Sequence, residues 1–181
     1  DPDVAMALRA AAFDDRPADV GFFQARLQVL AKLGDVEATE VTLVRRLGLV
    51  TDHDERRALT WELSALCESR GRWREALEPL LELVVQAQTD DEVSDVLAAV
   101  ERLAAGAHDR THVVRALEAA SQRPRGGKVA QWLTDLARLR RDELLDIEGA
   151  ETAFARAVSF GADVKPELDE LRAGLTAVGA D

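Results

Sequence analysis

The chain has 181 residues, of which 47% are apolar and 4% aromatic, with no tyrosine. That apolar content supports a packed interior and excludes a wholly disordered chain, and the dominance of Ala and Leu favours helices over sheets. The 34 acidic and 23 basic residues leave a net charge of −11, which repels phosphate at long range and argues against a nucleic-acid partner.

Residues 4–13 place Met6 in register 37 residues before Leu43 and read as the second helix of an incomplete unit. Residues 21–33 set apolar side chains at Phe22, Phe23, Leu27, Leu30 and Leu33, a helical rhythm that Gly34-Asp35 interrupts and residues 36–47 restart. The scheme recurs at 55–69 and 73–86, broken at Arg70-Gly71-Arg72. It recurs again at 91–105 and on to about Gln122, with a turn at Gly106-Ala107-His108-Asp109. Arg123-Pro124-Arg125-Gly126-Gly127 is the clearest helix stop, since proline removes a donor and paired glycines favour open backbone. Residues 128–145 and 147–159 form the next pair, turning around Asp146. Residues 166–178 start on Pro166 and carry Leu168, Leu171, Leu175 and Val178, as a closing helix would. Thr51 with Asp54 and Thr89 with Glu92 have the spacing of capping boxes, the second fitting better.

These stretches superimpose at a fixed offset of 37 residues. One column, Thr39, Ala76, Val113 and Ala150, is small or β-branched; four residues on, Leu43, Leu80, Leu117 and Phe154 are large and apolar. A third column, Phe22, Leu59, Val96 and Leu133, is apolar throughout. Such a period predicts an all-α, right-handed α-solenoid of antiparallel helix hairpins with about ten helices, each unit burying its face against its neighbours. The expected organisation is a single domain over 1–181: a partial repeat at 1–19, repeats at about 20–52, 53–89, 90–126 and 127–163, and a capping helix at 164–181. Cys67 shares an apolar column with Leu30 and Ala104 and reads as a buried hydrophobe; a lone cysteine excludes an internal disulfide.

At Gly71-Arg72-Trp73-Arg74-Glu75-Ala76-Leu77, followed by Leu80 and Leu83, the sequence resembles the tetratricopeptide repeat. Gly34, Val36, Thr39 and Leu43 copy the pattern loosely, and Ile147, Ala150, Phe154 and Ala157 copy its second helix, with Leu145 where the family has glycine. The chain departs from the family in three ways. Its period is 37 and not about 34, its first helices lack a regular small residue, and their apolar column sits one residue early. The resemblance implies that first helices line a concave, partner-binding surface and that Trp73 packs in the core. Trp61 and Trp132 lie beside the first-helix column and are candidate interface anchors, with partial burial as the alternative. Gln24, Gln28, Glu68, Asp95, Arg102 and Asp135 would share that surface.

Candidate chemistry is sparse. His108 and His112 have the i, i+4 spacing of metal ligands, but no third ligand accompanies them beyond Asp109, so they read as solvated turn residues, as does His53. The loop at 123–128 lacks the spacing of a phosphate-binding loop. The basic residues Arg123, Arg125, Lys128, Arg138, Arg140 and Arg141 form either an anion-facing patch or, the preferred reading, a solvated face paired with neighbouring acids. No catalytic residue, metal or cofactor is predicted. The expected function is a non-catalytic scaffold that holds a peptide or helix of another protein, with basic character, on its concave face. The alternative is an assembly or regulatory arm of a larger enzyme or envelope complex, self-associating through its end repeats. No apolar run approaches the about 20 residues that span a bilayer, which predicts no membrane insertion and a cytoplasmic location. The first residue, Asp1, suggests a processed product or an excised piece.

Overall fold

The computed structural model describes residues 2–123 and 127–178. Within them the chain is all helical: α1 (Pro2–Ala12), α2 (Val20–Leu33), α3 (Val36–Leu47), α4 (His53–Ser69), α5 (Trp73–Gln86), α6 (Asp90–Ala107), α7 (Thr111–Ser121), α8 (Val129–Asp142), α9 (Ile147–Ser159) and α10 (Lys165–Val178). Among the described residues no helix is long and apolar enough to cross a membrane. The predicted helix stop at Pro124, Arg125 and Gly126 lies outside the described residues.

Two compact units emerge, residues 1–80 and 81–181, divided inside α5. In the first, α1 packs on α2, α2 on α3 and α3 on α4, and Ser64 Oγ of α4 donates to the Ala76 carbonyl of α5 at 3.0 Å. In the second, α6 packs on α7, α7 on α8, α8 on α9 and α9 on α10.

Aspartates start four of these helices, α2, α3, α4 and α9, by accepting orphan amide protons, each contact worth about 1 kcal/mol. Asp19 accepts from Phe22 N, Asp35 from Ala38 N and Asp146 from Gly149 N, at 3.0–3.1 Å. Thr89 accepts from Glu92 N at 3.2 Å, while Glu92 reaches back to Gln88 N at 2.7 Å, so the predicted box forms with its second bond one residue early. The box predicted at Thr51 does not form. Asp52 takes the cap, accepting from Glu55 N at 2.9 Å, because it is one residue closer to the helix that starts at His53.

Helix ends reveal a period of their own. Gly34, Gly71, His108 and Leu145 have φ of 66°, 69°, 52° and 56°, and each follows the previous one by 37 residues. A left-handed residue lets the chain turn and its successor donate back to the last helical turn, as Asp35 N does to Leu30 O, Arg72 N to Cys67 O and Asp109 N to Ala104 O. Gly106 is therefore helical, and the turn predicted there begins at His108.

Burial follows the predicted columns. Ala76, Val113 and Ala150, then Leu43, Leu80, Leu117 and Phe154, then Leu59, Val96 and Leu133 are all buried, as are Leu30, Cys67 and Ala104. The exceptions fall in α2 and α3: Thr39 and Phe22 are half-buried. Phe23, one residue on, takes the core position beside Phe13, with ring centroids 6.0 Å apart. Trp73, expected in the core, is half-buried because it is the first residue of its helix. His112, read as solvated, is buried in the first turn of α7 with Nδ1 3.8 Å from Asp109 Oδ2, whereas His108 is exposed.

Candidate partner-binding site

The sequence-predicted contact residues divide between the units. On α2, Gln24 and Gln28 are exposed one turn apart; on α4, Trp61 and Glu68 are half-buried two turns apart. On α6, Asp95 and Arg102 are exposed and share a face; on α8, Asp135 is half-buried. Trp132 is the correction: it is only 3% exposed and belongs to the core. Both α7 and α9 pack on α8, so that helix buries Val129, Trp132, Leu133, Leu136, Ala137 and Leu139, a face too wide to leave the residue beside the column outside.

On α8, Gln131, Arg138 and Asp142 are exposed and Arg141 is half-buried beside the last two. Bordering Arg141 within the 81–181 unit is a cleft of about 670 Å³. Ile147 of α9 and Leu171, Gly174 and Leu175 of α10 give the cleft its apolar lining, and Arg141, Glu167 and Glu170 its charge. Burial of Leu168 and Leu171 anchors α10. Gly174 keeps the space open, since a Cβ there would meet nothing within 4 Å.

A second depression, of about 220 Å³, lies among α6, α7 and α8. The carboxylates of Glu101, Asp135, Asp142 and Glu143 line it against the guanidinium groups of Arg110 and Arg138. Arg110 pairs with Glu143 at 2.8 Å. Arg138 pairs with Glu167 at 3.3 Å, so one ion pair joins a residue of the polar depression to a residue of the apolar cleft. Burial pushes the Asp135 carboxyl up, while the hydrogen bond from Gln131 (2.9 Å) and the nearby Arg138 pull it down. Arg141 forks onto Asp142 at 2.6 and 3.0 Å and holds that carboxyl below the usual range. The same guanidinium lies 5.7 Å from the Phe154 ring centroid, which fixes its position at the edge of the cleft.

Chemically, the first depression suits apolar side chains and the second an organic cation. Among the described residues neither is lined by Ser, Cys, His or Lys, and no three His, Cys, Asp or Glu side chains are grouped to hold a metal ion. The basic stretch before α9 is paired with acids: Lys128 with Asp91 at 2.9 Å, Arg140 with Glu118 and with Asp146, and Arg141 with Asp142. Arg123 donates to the Ala87 carbonyl at 2.6 Å. Arg125 lies outside the described residues.

Set against known proteins, the chain matches no family model and no curated protein. Of the partner-contact residues predicted from sequence, only Asp135 lines either depression; Arg141 and Arg138, read there as part of a solvated basic face, line the first and the second. The α10 residues that form the cleft were legible only through Gly174, a glycine inside an otherwise regular helical pattern, between Leu171 and Leu175.

Proposed function

We propose that the chain is a non-catalytic protein-interaction scaffold, a right-handed α-solenoid of antiparallel helix pairs akin to the tetratricopeptide repeat, whose 81–181 unit holds a helix or peptide of a partner protein. The recurrence of left-handed residues at 34, 71, 108 and 145 and the buried columns support the repeat. The observation that carries the binding reading is the apolar cleft bordered by a carboxylate-rich depression. A volume near 670 Å³ accommodates several apolar side chains from one helix face. Basic residues flanking that face would meet Glu101, Asp135 and Glu143. The net charge of −11 adds long-range attraction for such a segment and disfavours nucleic acid.

The test is fluorescence anisotropy with labelled amphipathic helical peptides, one series flanked by Lys and Arg and one by Glu. The basic series binds, and more weakly as salt rises. Gly174→Trp fills the cleft without a backbone clash, and it lowers the affinity by at least about tenfold, the scale of one lost anchor. Equal binding of both series, or binding untouched by Gly174→Trp, would remove the site. A second reading, an assembly or regulatory arm that self-associates through its ends, is favoured by the exposure of Val4 (56%) and Leu8 (68%) on α1.

A further inference from the structure

We propose that Leu144 and Leu145, on the turn between α8 and α9, form a docking knob for the apolar face of a basic amphipathic helix from another protein. The proposal rests on the partner class argued above and names a contact distinct from the two depressions.

The first observation is in the backbone. Leu145 holds φ at 56°, where the Cβ of any residue but glycine crowds the carbonyl oxygen that follows it. The turn is also longer than its counterparts. Helix α8 stops at Asp142, two residues short of where α2 and α6 stop in register. Asp146 N then closes the loop onto Arg140 O at 2.9 Å. The chain thus leaves the helix early and carries both leucines outside it.

The second observation is exposure. Leu144 is 43% and Leu145 76% exposed. The left-handed positions that match Leu145 are Gly34, Gly71 and His108, and none of them is a large apolar residue. Leu33 matches Leu144 and is exposed too, but glycine follows it. Of the four turns, the fourth is the one that sets two leucines side by side. There the fold carries backbone strain and wet apolar surface together, and glycine would relieve both. Strain and exposure at one residue point to contact with another molecule.

Charge selects the occupant. Asp142, Glu143, Asp146 and Glu148 lie within three residues of the pair. Arg141, Arg110 and Arg140 pair with the first three, and Arg140 is shared with Glu118. Glu148 is exposed and makes no ion pair among the described residues. Acid therefore exceeds base around the leucines, which attracts an apolar face flanked by Lys and Arg and repels an acidic one or an anionic lipid surface. The turn also joins the two depressions: Glu143 lines the polar one and Ile147 the apolar cleft. One basic helix lying across the knob borders both.

Leu145→Gly separates binding from folding, because it removes the side chain and the strain together. It raises the melting temperature of the whole chain. In fluorescence anisotropy it lowers affinity for the labelled amphipathic peptide flanked by Lys and Arg by at least about tenfold. Leu144→Gln weakens binding likewise and leaves the melting temperature unchanged. Leu33→Gln, in the same column on α2, leaves the affinity as it was. A Leu145→Gly chain that binds as tightly as wild type overturns the knob, as does a Leu33→Gln chain that weakens as much as Leu144→Gln. If the leucine variants bind normally and Gly174→Trp binds poorly, the cleft reading stands and the knob alone is wrong. Binding that survives Gly174→Trp but not Leu145→Gly keeps the knob and discards the cleft. A wild-type chain that binds neither the basic nor the acidic peptides removes the scaffold reading, and the knob with it.

Discussion

Helix pairs α2–α3 and α8–α9 stand 111 residues apart and follow one sequence plan, yet they fill its positions with different chemistry. Where α9 buries Ala157, α3 buries Arg46. That guanidinium is satisfied on every side: Glu55 at 2.6 Å, the Pro17 carbonyl at 3.3 Å, the Ala18 carbonyl, and the Phe23 ring 5.6 Å away. Where α8 turns into α9 through Leu145, α2 turns into α3 through Gly34, and both residues are left-handed. The aspartate that follows each of them caps the next helix in the same way. The lesson is that a repeat position dictates burial and backbone conformation more strictly than it dictates residue type. A charge is admitted where donors and acceptors can all be matched, and strain is admitted where the rest of the turn is sound.

The largest separation between the pairs should come from their core plugs. Phe154→Ala removes a fully buried ring and should cost about 4 kcal/mol in urea unfolding, more than the about 3 kcal/mol for Leu43→Ala at the matching position. Next comes the buried cation. Arg46→Ala leaves two carbonyls and Glu55 without their donor and should cost about 3 kcal/mol. A loss under about 0.5 kcal/mol would mean that solvent replaces the guanidinium easily and that the ionic filling is not structural. Exchanging the turn residues gives smaller, opposite effects. Gly34→Leu meets no steric neighbour, so its cost of about 1.5 kcal/mol is backbone strain alone. Leu145→Gly should gain about 0.5 kcal/mol after the entropy of an added glycine is deducted. Thermal melts of the two variants should move in opposite directions.

The smallest expected effect is a pH dependence confined to the second pair. Because burial raises the Asp135 carboxyl in the folded state, the folded chain holds that proton more tightly than the unfolded chain does. Stability therefore falls as pH rises from the ordinary value of 3.8 through the folded value, and is level above it. Asp135→Asn keeps the Gln131 contact and should abolish that fall, making the variant the more stable protein at neutral pH. A variant less stable than the parent at pH 7 would show that the carboxylate is net favourable where it sits.

Much of the fold was legible because helical spacing acts locally. Ala76, Leu80, Val113, Leu117, Ala150 and Phe154 recur at intervals that only one helix face can satisfy, and all are buried. The turns at Gly34 and Gly71 were legible for the same kind of reason, since glycine advertises a left-handed backbone. His108 and Leu145 adopt that conformation without advertising it; only the 37-residue spacing betrays them. Pro79 is the converse case, a helix breaker inside α5 that the flanking buried residues Leu77, Leu80, Leu83 and Val84 overrule. The candidate site was legible only at Asp135, because a cleft is a property of spaces between helices and residues define it by what they fail to fill.

By itself, then, the order of residues determined that this protein is helical, where its helices turn, and which stripe of each faces inward, because 3.6-residue periodicity and capping need only near neighbours. Which side chains beside that stripe are also enclosed was settled only in three dimensions. Trp132 is buried where α8 encloses a broad face between α7 and α9, while Trp61 on α4 is half-buried. The register of α2, with Phe23 and not Phe22 in the core, was settled the same way, by the ring of Phe13 waiting across from it.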